Sequence, residues 1–259
     1  MIKLLVNEKE VAFKTTQFPD GTSQVWQIAD NLNYRDKATI LWLYENDAEI
    51  FHVAQLAQLL HHLTEGEHKI YAPFLPYGRQ DKGVTNNSTF ALFTLDTILS
   101  SVHVQSIKTY DAHSTVGTNL LGSIVPVDFH THAFKHDVAC FPDKGAVSRY
   151  SHLAPYQGAE IIHFDKVRDQ LTGNITGLQL IGNSNLENKT ILIVDDICDA
   201  GMTFIKVAEA LNKFKPKQID LAVSHGLFTK GKQCLHDAGI SNIYTTNSLL
   251  RNPEGFKVW

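Results

Sequence analysis

The run Thr190-Ile191-Leu192-Ile193-Val194-Asp195-Asp196-Ile197-Cys198-Asp199-Ala200-Gly201-Met202-Thr203 carries the strongest local signal in this chain. From Thr190 to Val194 the residues are β-branched or aliphatic without a break, the mark of a strand buried on both faces. Two acids end the run. A short loop with a glycine and a threonine then opens a helical pattern, Phe204 to Phe214, with Phe204, Val207, Ala208 and Leu211 at i, i+3, i+4 and i+7. In open α/β sheets ligands sit at the carboxyl ends of the strands. A helix N-terminus at that edge offers unpaired N–H groups and the positive end of the helix dipole, which suits a phosphate. Gly201 permits close backbone approach or a positive φ. Thr203 adds a hydroxyl donor, and Asp195, Asp196 and Asp199 can hold sugar hydroxyls directly or through a metal ion and water. A plainer reading has Asp199 capping the helix and Asp195–Asp196 as a solvated strand end.

Outward from this stretch, strand-like runs alternate with amphipathic helical ones. Thr39 to Tyr44 reads as a buried strand. Ile50 to Leu63 then places Ile50, Val53, Ala54, Ala57, Leu60 and His61 at helical spacing. Lys69 to Leu75 is a strand ended by Pro76. Thr89 to Leu99 is helical, with Phe90, Phe93, Leu95 and Ile98 toward one side, and Ser106 to Tyr110 is a strand leading into Asp111-Ala112-His113. In the second half, Ala146 to Leu153 predicts a helix, and Glu160 to Phe164 and Gln218 to Val223 predict strands. This alternation implies parallel sheets covered on both faces. Two such units fit the length of 259 residues, with a break near residues 125–133, giving an N-terminal domain 1–128 and a C-terminal domain 129–259.

Composition excludes several classes. With 43% hydrophobic and 19% charged residues the chain has enough apolar material to pack a core, so it is not disordered over most of its length. No apolar stretch approaches the roughly 18 residues of a membrane span, and the opening run after Met1 is too short for a secretory signal. The net charge is −4, so no basic field calls for nucleic acid. Cys140, Cys198 and Cys234 are an odd, scattered set without zinc spacing, which points to a reducing cytoplasm. His130, His132 and His136 have the local spacing of a transition-metal site, but no further ligand pattern supports one.

Four further segments extend the signal. They are Phe18-Pro19-Asp20-Gly21-Thr22, then Tyr71 to Lys82 with Pro76-Tyr77-Gly78-Arg79-Gln80-Asp81, then Asp111-Ala112-His113, and Phe141-Pro142-Asp143-Lys144-Gly145. After them comes Lys166-Val167-Arg168. With the loop above, this series resembles the ribose-phosphate diphosphokinase (PRPP synthetase) family. That family has Phe-x-Asp-Gly-Glu, Pro-Tyr-x-Arg-Gln-Asp, Asp-Leu-His and Ser-Pro-Asp-x-Gly segments in this order, and a catalytic loop that starts Lys-Arg-Arg. The resemblance runs from about Phe18 to about Gly226.

The resemblance implies two tandem type I phosphoribosyltransferase-like domains, each a mainly parallel sheet flanked by helices. It implies transfer of the diphosphoryl group of Mg-ATP to the C1 hydroxyl of ribose 5-phosphate, giving PRPP and AMP. Lys166 and Arg168 become the catalytic cations that steady the moving phosphate oxygens, a point charge and a planar fork. Phe18, Asp20, Arg79, Gln80, Asp81 and His113 become ATP contacts. Asp195, Asp196, Asp199, Ala200, Gly201, Met202 and Thr203 become the ribose 5-phosphate loop. A magnesium ion (Mg2+) falls to His113 and Asp143, of which the carboxylate is the better hard-oxygen ligand. Phe18 and Asp20 also admit a second reading, a buried aromatic beside an Asp-Gly turn. Against the family pattern Thr22 stands for Glu, Val167 for Arg, Ala200 for Thr and Met202 for Gly. The chain starts close to the Phe18 segment and stops at Trp259, before the family's terminal helix. The expected partners are ATP, ribose 5-phosphate and further copies of the chain, a homodimer or the family's hexamer. Two other readings compete: a type I phosphoribosyltransferase consuming PRPP, and a non-catalytic regulatory relative.

Overall fold

The computed structural model describes residues 1–26, 28, 32–64, 68–104, 106–114, 116, 124–127, 135–153, 156, 158–168 and 175–258, with the backbone alone at 124–127, 166–168 and 175–176. His130 and His132 lie outside them. The chain divides into two compact units, Met1–Val127 and Asp128–Trp259.

In the first unit β1 (Ile2–Val6) and β2 (Lys9–Val11) form a hairpin, and β3 (Lys14–Gln17) and β4 (Ser23–Trp26) form a second, separate one. Then come β5 (Ala38–Trp42), α1 (Ala48–Leu63), β6 (His68–Tyr71), α2 (Ala91–Ser101), β7 (Ser106–Tyr110) and β8 (Ile124–Val127). The sheet order is β2-β1-β5-β6-β7-β8. Strands β5 to β8 are parallel, while β1 runs antiparallel to β5 and β2 to β1. The sheet is mainly parallel, as expected, and is closed at one side by an antiparallel edge. Leu4, Ile40, Trp42, Ile70 and Ile107 of the strands pack with Val53, Leu56 and Leu60 of α1 and Leu92, Leu95 and Leu99 of α2. His61 lies outside that face, exposed to solvent. The α2 stripe also differs from expectation. Phe93 is 51% exposed, because the helix buries i, i+3 and i+7 counted from Leu92 instead of from Phe90. β6 ends at Tyr71, short of Pro73, which has no N–H to continue a ladder.

The second unit holds β9 (Val138–Phe141), α3 (Lys144–Tyr150), β10 (Glu160–Arg168), β11 (Ile175–Ile181), β12 (Thr190–Cys198), α4 (Met202–Asn212), β13 (Gln218–Gly226), α5 (Gln233–Asp237), β14 (Ile240–Thr245) and β15 (Lys257–Val258). The sheet order is β11-β10-β9-β12-β13-β14-β15, parallel except for β11. Ile191 and Ile193 of β12 face one core layer with Phe204, Val207 and Leu211 of α4. Leu192 and Val194 face the other, with Ala146 and Tyr150 of α3. Burial on both faces is why this strand reads as unbroken apolar sequence. Three elements run past their expected ends. β12 continues through Asp195 and Asp196 to Cys198, β13 continues to Gly226, and β10 continues to Arg168. Helix α3 starts two residues before the expected Ala146, because Asp143 caps it: Asp143 Oδ1 accepts from the Ala146 N–H at 3.1 Å.

Candidate active site

At the carboxyl end of β12 the chain turns through Asp199 and Ala200 to Gly201, which has φ 77° and ψ 0° and stands as the N-cap of α4. Its carbonyl accepts from the Ile205 N–H at 3.0 Å. A Cβ on Gly201 would lie 3.0 Å from Leu235 Cδ2 on α5, so the left-handed turn and the close packing both require glycine here. Met202 and Thr203 are exposed on the first turn, where helix N–H groups have no intrahelical partner.

Asp199 does not cap α4. Its Oδ1 accepts from Thr229 Oγ1 at 2.8 Å, and its carbonyl accepts from the Thr229 N–H at 3.2 Å. The Cys198 carbonyl takes the Leu227 and Phe228 N–H groups at 2.9 and 3.2 Å. The turn is thus strapped to the segment that follows β13. That segment also brings Lys230 Nζ to 4.0 Å from Met202 Sδ. The sequence reading missed Thr229 and Lys230, since nothing in the linear chain pairs them with the turn.

Asp195 and Asp196 are not a solvated strand end. Arg149 of α3 donates from Nη2 to Asp195 Oδ1 at 2.6 Å and to Asp196 Oδ1 at 3.1 Å. Asp196 is 3% exposed. Burial and then the neighbouring Asp196 carboxylate raise the Asp195 carboxyl above the ordinary range, with Arg149 opposing them. Arg149 is a third residue that sequence reading did not single out. Cys198, inside β12, is buried, and burial pushes its thiol up to about 12, so it is no nucleophile at neutral pH.

Lys166 and Arg168 were expected in a loop after a strand ending at Phe164. They lie within β10, paired with β11 at Lys166↔Leu178 and Arg168↔Ile175, with a register shift between Val167 and Arg168. β10 leaves its parallel partner β9 after His163, opposite Phe141. Beyond that point β10 and β11 continue as a two-stranded arm past the carboxyl end of β9, at the edge that also carries the β12–α4 turn. Lys144 Nζ, 2.8 Å from Asp165 Oδ2, ties the arm to the start of α3 beside Asp143.

In the first unit, Phe18-Pro19-Asp20-Gly21-Thr22 is the turn of the β3–β4 hairpin. Gly21 has φ 85°, and Asp20 Oδ1 accepts from the Thr22 hydroxyl at 2.7 Å and from its N–H at 2.9 Å, which holds the Asp20 carboxyl below the usual range. Phe18 is 44% exposed, so it is not the buried aromatic of the second reading. The hairpin is bonded to the first turns of α1 through Ser23 Oγ and His52 Nε2 at 2.7 Å, and through the Val25 N–H and Gln55 Oε1 at 2.9 Å. Arg79 and Gln80 are exposed and Asp81 half-buried in the chain that leaves the carboxyl end of β6. Tyr77, just before them, donates its hydroxyl to Asp47, which also accepts from Tyr44 at 2.5 Å; these two bonds lower the Asp47 carboxyl. His113, half-buried, follows the carboxyl end of β7. Arg79, Gln80, Asp81 and His113 therefore share one sheet edge of this unit. Among the described residues, no group of three or more His, Cys, Asp or Glu side chains is arranged to hold a metal ion.

Residues 130–248 match the family model described as phosphoribosyl transferase domain. Over more of its length the chain is similar to proteins named ribose-phosphate pyrophosphokinase. That of Pyrococcus furiosus is 27% identical over 243 residues, covering 90% of this chain and 84% of the relative. That of Saccharolobus solfataricus is 24% identical over 249 residues, covering 92% and 84%. The solved structure of phosphoribosylpyrophosphate synthetase from Mycobacterium smegmatis shares the fold, with a TM-score of 0.81 at 19% identity, covering 96% of this chain and 86% of that one. The chain is thus similar to ribose-phosphate pyrophosphokinases over most of its length.

Proposed function

We propose that this protein is an ATP-dependent ribose-phosphate diphosphokinase. The observation that carries the proposal is the meeting, at one edge of one sheet, of the Gly201 turn and the β10–β11 arm bearing Lys166 and Arg168. The turn holds the 5-phosphate of ribose 5-phosphate on the α4 N-terminus, through Asp199, Ala200, Gly201, Met202 and Thr203. Asp195 serves the sugar hydroxyls, with Asp196 buried behind it as its anchor. The C1 hydroxyl oxygen attacks the β-phosphorus of ATP, the bond from that phosphorus to the bridging α–β oxygen breaks, and AMP leaves while the hydroxyl proton passes to solvent. Such a step needs in-line positioning and charge neutralisation above all, and Lys166 and Arg168 supply the fixed cations. Phe18, Asp20, Arg79, Gln80, Asp81 and His113 contact ATP.

A hard divalent cation suits this chemistry, and Mg2+ bound with the nucleotide would neutralise its phosphates. Asp143 fits it as an oxygen donor; His113 fits less well and is assigned to phosphate contact. The protein acts in the cytoplasm as a homo-oligomer, and no helix of the described residues is long and apolar enough to cross a membrane. Incubation with Mg2+, ATP and ribose 5-phosphate should release AMP only when the sugar phosphate is present, as followed by chromatography. Release of pyrophosphate from PRPP and a base would mark a phosphoribosyltransferase instead, and neither reaction would leave a regulatory relative.

A further inference from the structure

We propose that Arg149 is a positioning residue of the sugar subsite: it aims Asp195 at a pentose hydroxyl and so sets the preference for ribose 5-phosphate over 2-deoxyribose 5-phosphate. The inference rests on the ribose 5-phosphate site proposed above. Two donors converge on one oxygen of Asp195: Arg149 Nη2 at 2.6 Å and the Asp196 N–H at 3.0 Å. With Oδ1 occupied twice, the carboxylate plane is set, and Oδ2 is the oxygen left to accept a hydroxyl. The side-chain exposures fit that division. Asp195 keeps 16%, while Asp196 keeps 4%. Asp196 is thus the buried anchor of the pair and Asp195 the member a ligand can reach.

The guanidinium is itself held. Arg149 sits on the last turn of α3, next to Tyr150, whose ring centroid is 5.3 Å from the guanidinium carbon. Tyr150 packs in the same core layer as Val194, one residue before Asp195. Helix and strand are therefore locked together by packing, and the Arg–Asp geometry does not depend on a mobile surface side chain. Without a cation between them, two adjacent carboxylates this far from water repel each other more strongly and are free to rotate apart. That rotation removes a well-aimed acceptor. A site built to accept a hydroxyl rejects the analogue lacking it more strongly the better that acceptor is aimed.

The test is titration calorimetry of the whole protein with ribose 5-phosphate and with 2-deoxyribose 5-phosphate, for the unaltered chain, Arg149→Gln and Arg149→Lys. The expected result is a preference for the ribo form that falls about tenfold in Arg149→Gln and to an intermediate value in Arg149→Lys, which keeps the charge but not the fork. Arg149→Gln with a lower melting temperature but an unchanged ratio of affinities would assign Arg149 to folding alone and overturn the inference. Should Arg149→Gln fail to fold, a ratio in Arg149→Lys equal to that of the unaltered protein would overturn it equally. No binding of ribose 5-phosphate by the unaltered protein would instead sink the proposed function, and this inference with it.

Discussion

Asp220 and Asp195 are both carboxylates removed from water, and their surroundings push them in opposite directions. Asp220, 1% exposed, is taken up by His136 Nε2 at 2.9 Å, by Gln218 Nε2 at 2.8 Å, and by the Asn242 N–H and Nδ2 at 3.0 and 2.9 Å. Burial raises it, yet these donors outweigh burial and hold its carboxyl below the usual range. A depressed carboxyl contributes stability that is present above its unfolded value, about pH 4, and is lost as pH falls through the folded one. Asp220→Asn should therefore cost about 2 kcal/mol at neutral pH and flatten the acid limb of the melting temperature, read by calorimetry between pH 3 and 6. Gly201 is the other decisive residue. Its φ of 77° and the 3.0 Å approach to Leu235 leave no room for a branched side chain. Gly201→Val should weaken ribose 5-phosphate binding at least about tenfold, since left-handed backbone costs an L-residue roughly 1–2 kcal/mol before any clash. Normal affinity in that variant would show that the turn does not cradle the phosphate.

The elements add what single residues cannot. The β10–β11 arm owes its reach to antiparallel pairing continued beyond His163, where β9 has already ended. A strand supported on one side holds its residues in register while lying outside the sheet's parallel body. For Lys166→Ala, turnover should drop at least about a hundredfold with little change in ribose 5-phosphate affinity, as expected of a contact made to developing charge. Unchanged turnover would remove Lys166 from the mechanism. On the other side of the turn, the segment after β13 places Lys230 beside Met202. Lys230→Gln should raise the dissociation constant for ribose 5-phosphate severalfold and reduce its salt dependence, because an exposed cation acts through a screened field. The strand-helix alternation was readable from residue periodicity, but the arm was not, since Phe164-Asp165-Lys166-Val167-Arg168 has no apolar alternation to announce a strand.

For the molecule as a whole, each unit has its own apolar core, one around Leu56, Trp42 and Leu95 and the others around β12. Leu56→Ala should destabilise the first unit by about 2–5 kcal/mol, the cost of a buried leucine truncation, while leaving ribose 5-phosphate binding by the second unit in place; calorimetry on the same variant checks both. The edges of both sheets escaped sequence reading for one reason. β1, β2 and β11 pair antiparallel, and a short strand carries the same alternation whichever way its neighbour runs.

What the sequence determined by itself was local: the doubly buried run 190–194, the apolar stripe Phe204, Val207, Ala208 and Leu211, the glycine that opens α4, and the ordered series of segments that resembles the ribose-phosphate diphosphokinases. Only the tertiary structure decided which groups those acids meet. Arg149 reaches Asp195 across 46 positions and Thr229 reaches Asp199 across 30, and in place of a cap and a solvated strand end they make an oriented carboxylate and a strapped turn. The physical reason is that periodicity records which face of an element is buried, whereas a hydrogen bond depends on which neighbouring element the sheet order brings within 3 Å.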